Sequence, residues 1–165
     1  MKVLVIGAGN MGLTYSEGMA ASSLLNKRKL MIYDVSSQVT QSLKDTGTYD
    51  VYEDLEKAVS IADIIFLAVK PYHSDDLLEK MKPFLNSQQI LVSLMAGVKI
   101  ETLKEMSGIP KIVRTMPNLP AKVGKGITSF SESKEVSRVE LLMVRNLLDT
   151  TGESIHVDSE SFIDK

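Results

Sequence analysis

The first twelve residues, MKVLVIGAGNMG, constrain what this chain can fold into more than any other stretch. Val3, Leu4, Val5 and Ile6 form an apolar run of the kind that makes a strand buried on both faces. The run leads directly into Gly7-Ala8-Gly9-Asn10-Met11-Gly12, which fits G-x-G-x-x-G. Between a strand and a helix, the first glycine of that pattern permits a tight turn. The second lets a pyrophosphate approach the backbone, and the third lets the helix pack close to the strand. The helix N-terminus adds free N–H groups and the positive end of its dipole. The spacing also suits a turn that packs tightly and binds nothing, but its place between strand and helix favours a dinucleotide.

The rest of the chain continues the alternation. Residues 13–25 read as a helix with Met11, Tyr15, Met19 and Ala20 on one side. Residues 30–33 read as a second strand ending at Asp34, 22 residues beyond Gly12. An acidic residue at that tip accepts hydrogen bonds from the hydroxyls of an adenosine ribose and repels a 2′-phosphate. It can instead cap the next helix, a role for which Ser36 and Ser37 compete. Helices are expected at 38–45, closed by Gly47, at 53–62 with Asp54 as cap, at 74–81, and at 100–106, closed by Gly108. Strands are expected at 50–52, 63–69, 90–94 and from 111 to 114. Lys70-Pro71 ends the strongest of them.

The last third changes character. Met116-Pro117-Asn118-Leu119-Pro120 is expected to be irregular, because two prolines bracket it. Gly124 and Gly126 suggest a turn, followed by a strand at 127–130. Residues 134–149 read as a helix with Val136, Val139, Leu142, Met143 and Leu147 on one face, and 153–157 as a final strand. Residues 159–165 have helix-start chemistry. The fold class is therefore α/β, a doubly wound Rossmann-like sheet of about eight mostly parallel strands with helices on both faces.

Composition excludes several classes. A net charge of −2 gives no electrostatic case for nucleic acid or an anionic membrane. The absence of cysteine excludes disulfides, thiolate metal sites and a Cys nucleophile. The N-terminal apolar run is too short for a signal peptide and no run approaches membrane-spanning length, so a cytoplasmic protein is expected. No G-x-S-x-G or Walker pattern occurs. His73 and His156 stand isolated in sequence and are expected to be structural, and Asp75-Asp76 to be the negative first turn of a helix. These absences do not count against hydride transfer, in which a nicotinamide carries the chemistry and the protein orients it. The residues to watch are then at strand tips: Gly7 to Gly12, Asp34, Ala68 to Pro71, Met95 to Gly97 and Met116 to Asn118. Lys70 suits a cofactor phosphate or ribose as well as it suits solvent. Asn118 can bond a nicotinamide amide or a substrate, or serve as a turn residue before Pro120.

Several of these segments together resemble the Δ1-pyrroline-5-carboxylate reductases. IGAGNMG, residues 6–12, resembles that family's cofactor loop, and FLAVKP, residues 66–71, is similar to its AVKP strand tip. SLMAGV, residues 93–98, looks like its AAG segment. Most specific is VRTMPNLP, residues 113–120, with Val123-Gly124-Lys125-Gly126-Ile127-Thr128, which resembles R-x-MPN-x-P…G-x-G-x-T. The resemblance implies binding of NADPH or NADH and reduction of the cyclic imine 1-pyrroline-5-carboxylate to L-proline. It carries Gly7, Ala8, Gly9, Asn10, Met11 and Gly12 to the pyrophosphate. Ala68, Val69, Lys70 and Pro71, with Ala96 and Gly97, go to the nicotinamide half. Met116, Pro117 and Asn118 would line the cofactor end of the active site, and no catalytic side chain is singled out.

There are departures from that pattern. Asp34, with no Lys or Arg following until Lys44, tilts the expectation toward NADH, whereas many members favour NADPH. The family's cofactor-holding Asn near the third strand has Asp54 as its nearest match. The resemblance further implies two domains: residues 1–157 as the NAD(P)-binding unit, and 158–165 as the start of a helical domain that holds the substrate and makes members homo-oligomeric. Without that domain the chain is expected to be weakly active or inactive. Other readings are a non-enzymatic NAD(P)-sensing module, an F420-dependent NADP reductase and a β-hydroxyacid dehydrogenase. The MPN-x-P segment argues against the last two, as does Lys70-Pro71.

Overall fold

The structure, a computed structural model, describes residues 1–118 and 126–164. Eight strands form one sheet: β1 (Val3–Ile6), β2 (Leu30–Tyr33), β3 (Asp50–Tyr52), β4 (Ile64–Leu67), β5 (Ile90–Ser93), β6 (Ile112–Pro117), β7 (Gly126–Glu132) and β8 (Gly152–His156). Their order is β3-β2-β1-β4-β5-β6-β7-β8. All neighbours pair parallel except β6 and β7, so six strands run one way and the last two run the other. The doubly wound expectation holds. The chain first builds outward from β1 to β3 and then crosses to β4 on the other side of β1. The crevice above the β1 and β4 tips is thus the point where the winding reverses.

Among the described residues six α-helices cover the two faces: α1 (Asn10–Ala21), α2 (Ser37–Thr46), α3 (Leu55–Ile61), α4 (Ser74–Met81), α5 (Ile100–Ser107) and α6 (Arg138–Leu148). The alternation within β1 shows why its sequence is apolar throughout. Val3 and Val5 join one core with Tyr15 and Met19 of α1, Leu43 of α2, and Val144, Leu147 and Leu148 of α6. Leu4 and Ile6 join the other, with Ala58 and Val59 of α3, Leu78 and Met81 of α4, and Ile100 and Leu103 of α5. Each β1 side chain is at most 1% exposed.

Two expectations need correction. Met116 and Pro117 are not irregular: they end β6, where Met116 pairs with Ser129 and Pro117 with Thr128 of β7. Proline is tolerated there because the ladder resumes at the next residue, the Asn118 N–H donating to the Ile127 carbonyl at 3.1 Å. The last long helix starts at Arg138, not at 134, because Ser137 and Glu140 form a capping box. Its core face is accordingly Val144, Leu147 and Leu148, while Val139 and Leu142 are exposed. Leu119, Pro120, Val123, Gly124 and Lys125, which carry part of the motif resemblance, lie outside the described residues.

After β8 the chain turns back over the sheet. Residues 160–162 make one 3₁₀ turn, and Arg114 of β6, fully buried, bonds to Glu160 at 2.9 Å and to Asp164. Burial works against the Arg114 charge, but the hydrogen bonds and charges of Asp164 and Glu160 outweigh it and hold its pKa above the ordinary value. Arg114, part of the motif that carries the resemblance, thus fastens the C-terminal segment to the sheet.

Candidate cofactor crevice

The glycine turn has the geometry that its spacing implies. Gly7 sits at φ +103, and a Cβ there would meet the Ala68 carbonyl oxygen at 2.6 Å. A Cβ on Gly12 would lie 1.8 Å from the Gly7 carbonyl oxygen, so α1 approaches β1 as closely as only glycine allows. Gly9 differs: a Cβ there meets nothing within 4 Å. Gly9 is also the N-cap of α1 and supplies no side chain to the leading amides. Open space beside an uncapped helix N-terminus is where an anion can approach.

Asp34 holds this turn from the β2 tip. One carboxylate oxygen accepts from the Ala8 N–H at 2.8 Å and the other from the Ser36 N–H at 2.9 Å. The cap of α2 is Ser36, whose hydroxyl accepts from the Val39 N–H. Asp34 is therefore free of the capping role and fixed in place. Tyr33 beside it has its pKa raised, first by burial and then by the Asp34 charge.

The strand tips converge on a crevice of about 530 Å³. Of the residues singled out in the sequence, Gly7, Gly9, Asn10, Met11, Asp34, Ala68, Val69, Lys70, Pro71, Ala96, Met116 and Pro117 all line it. Ala8, Gly12, Gly97 and Asn118 do not line it. Ala8 gives its N–H to Asp34, and Gly97 turns the chain at φ +76. The Asn118 side-chain oxygen accepts from the Ile127 N–H at 2.9 Å and so joins the ends of β6 and β7. Asp54 caps α3, accepting from the Lys57 N–H at 3.2 Å. Lys70 is exposed at the crevice and takes part in no ion pair among the described residues.

A second cavity, about 260 Å³, adjoins the first and is lined by Ile6, Gly7, Tyr33, Asp34, Val35, Leu55, Val69, His73, Asp76, Leu77 and Lys80. Sequence reasoning missed this half of the site. His73 lines both cavities, although its isolation in sequence pointed to a structural role. The available signal was Pro71: it opens a 3₁₀ turn over Pro71–His73 that brings the chain back across the strand tip. His156 is remote from both cavities and bonds Glu132 at 2.7 Å. Among the described residues no cluster of His, Cys, Asp or Glu is arranged to hold a metal, and no helix is long and apolar enough to cross a membrane.

A doubly wound sheet with a G-x-G-x-x-G turn, and a crevice at the point where its winding reverses, defines a Rossmann-type domain. The chain belongs to the family described as NADP oxidoreductase, coenzyme F420-dependent, whose pattern matches residues 2–97. Beyond residue 97 the similarity to pyrroline-5-carboxylate reductases continues. Pyrroline-5-carboxylate reductase of Escherichia coli is 34% identical over 154 residues, covering 93% of this chain and 57% of the relative. That of Corynebacterium melassecola is 32% identical over 167 residues, covering 98% of this chain and 61% of the relative. The crystal structure of Plasmodium falciparum pyrroline carboxylate reductase with NADP bound superposes with a TM-score of 0.86 at 29% identity, over 98% of this chain and 59% of that one. The chain thus spans about 60% of the length of the relatives it matches.

Proposed function

We propose that this chain binds NAD(P)H across the two cavities and is the cofactor-binding part of a pyrroline-5-carboxylate reductase. The observation that carries the reading is the meeting of Met116 and Pro117 with the glycine turn and Lys70-Pro71 in one crevice. The first belongs to the segment most specific to those reductases, and the others to the cofactor half. When bound, the dihydronicotinamide supplies the hydride that reduces C5 of the cyclic imine. The chain's own residues bind and orient. The leading amides of α1 face the pyrophosphate, Asp34 the adenosine ribose, and Ala68 to Pro71 with Ala96, Met116 and Pro117 the nicotinamide half. Residues 1–157 form the cofactor unit, and 158–165 lead toward the substrate-binding, oligomer-forming half known by resemblance.

Asp34 supports NADH over NADPH. Its carboxylate cannot swing away from a 2′-phosphate without releasing both the Ala8 and Ser36 N–H groups. The next cation along the sequence, Lys44, is paired with Glu53 at 3.2 Å, and Lys80, which lines the same cavity as Asp34, comes from α4. Charge repulsion of about 1–3 kcal/mol then makes NADH bind roughly tenfold tighter. Titration of the chain with each nucleotide, followed by nicotinamide fluorescence, checks this. Binding of neither at millimolar concentration overturns the cofactor reading, while tighter NADPH overturns only the role of Asp34. Imine reduction by the 165-residue chain at an ordinary enzymatic rate would overturn its assignment as a cofactor half.

A further inference from the structure

We propose that Asp76 and Lys80 read the hydrogen-bonding edge of the cofactor's adenine base in the smaller cavity, and so set its base specificity. The inference rests on the dinucleotide reading above. Four residues of that cavity, His73, Asp76, Leu77 and Lys80, recur at helical spacing along α4 and its N-cap, so one side of the helix faces the cavity. The opposite side, Leu78 and Met81, is fully buried in the core.

The rest of the lining is mostly apolar. Ile6, Leu55, Val69 and Leu77 offer surfaces for the faces of a planar base but no polar group for its edge, and Tyr33 adds a single hydroxyl. Apart from Asp34, which is held at the glycine turn, the charged groups for the edge come from α4. Asp76 and Lys80 carry opposite charges four residues apart, yet they do not pair with each other. Neither has a side-chain hydrogen bond or ion pair to any other described residue. The cavity thus has at its solvent-exposed rim one strong acceptor and one strong donor, four residues apart on α4 and bonded to no other described residue.

Adenine is the complement of that arrangement. Its 6-amino group donates, and the ring nitrogens flanking it accept. The Asp76 carboxylate would take the amino proton and the Lys80 ammonium would give one to a flanking nitrogen. With Lys80 on N7, an acceptor in all three bases, hypoxanthine and guanine place a carbonyl oxygen where adenine has its amine, which sets two acceptors against each other at Asp76. Asp34 and Val35 line the same cavity at the β2 tip, which puts the ribose site next to the base site.

Fluorescence titration with NADH and with reduced nicotinamide hypoxanthine dinucleotide tests the assignment. The wild-type chain is expected to bind NADH about five- to tenfold tighter, because the analogue leaves Asp76 facing an acceptor. Asp76→Asn, whose amide can donate to a carbonyl, brings the ratio to about one. Asp75→Asn, in the same helical turn but outside the cavity, keeps the wild-type ratio and controls for the helix dipole. Lys80→Met weakens NADH. Equal wild-type affinities, or a ratio unmoved by Asp76→Asn, overturn the base assignment while leaving dinucleotide binding intact. A Lys80→Met variant that loses affinity for NADPH alone also overturns it, since the ammonium would then serve a 2′-phosphate. A wild-type chain that binds neither nucleotide overturns both readings together.

Discussion

Three glycines in one motif do three separable things, and the separation is testable. Gly12 and Gly7 are held by contact with backbone, whereas Gly9 faces open space. Gly12→Ala forces a methyl into the Gly7 carbonyl and is expected to cost several kcal/mol, about 3 or more, visible as a large fall in Tm. Gly9→Ala is expected to leave Tm within about 2 °C, since Gly9 already lies at φ −77 in extended backbone. Its methyl would stand where the proposed pyrophosphate approaches, so nucleotide affinity is expected to fall at least tenfold. A Gly9→Ala chain that binds as tightly as the wild type would remove the pyrophosphate from this turn. Asp34 teaches a related lesson. Its position after the second strand was legible from spacing, but its grip on the Ala8 N–H was not, because that contact joins two strand tips 26 residues apart.

At the level of elements, the caps were more legible than the faces. Gly47 and Gly108 close their helices in the left-handed region, and Asp54 opens α3, all from local chemistry. The start of α6 was misplaced because an amphipathic pattern can be drawn through Val136, while the Ser137 and Glu140 box decides where helical hydrogen bonding begins. Ser137→Ala is expected to destabilise the chain by about 1 kcal/mol in urea unfolding. Glu140 also accepts from Lys111 at 2.7 Å. Burial raises its pKa, but the Lys111 and Ser137 hydrogen bonds outweigh this and leave it below the usual 4.5. A depressed carboxylate contributes stability that is fully present above pH 4.5 and lost as pH falls through its folded value. Unfolding free energies measured from pH 6 to 3 are expected to decline less steeply in Glu140→Gln than in the wild type.

Across the whole molecule, two buried polar contacts tie the last third of the chain to the nucleotide-binding half. Tyr15 of α1 and Thr128 of β7 meet at 2.5 Å between hydroxyl oxygens, both fully buried, and Thr128 pairs with Pro117 at the crevice. Burial raises the Tyr15 pKa, opposed in part by its hydrogen bonds to Thr128 and Thr151. Helix α1 and the strand that braces Pro117 are thereby held together. Arg114 makes the second tie, through Glu160 and Asp164. Removing both acidic partners, Glu160→Ala with Asp164→Ala, strands a buried guanidinium whose Nε already has no hydrogen-bond partner among the described residues. The expected loss is about 3 kcal/mol or more in chemical denaturation, whereas Arg114→Met in the same double variant recovers part of it. Equal stability of the double variant and the wild type would show the segment to be a passive tail.

The sequence by itself determined the class of sheet, nearly all of its strands and helices, and the glycine turn, because strand runs, helical periods and caps are written in neighbouring residues. The doubly wound order followed from their alternation. The tertiary structure decided what those elements do to one another. It drew Met116 and Pro117 into β6 through pairing with β7, and turned Val139 and Leu142 to solvent. It closed Asp34 on the glycine turn, buried Arg114 against partners 46 and 50 residues away, and brought His73, Asp76 and Lys80 to a cavity beside Asp34. Each of these depends on groups distant along the chain, whose meeting is fixed by packing and by the need to satisfy buried polar atoms.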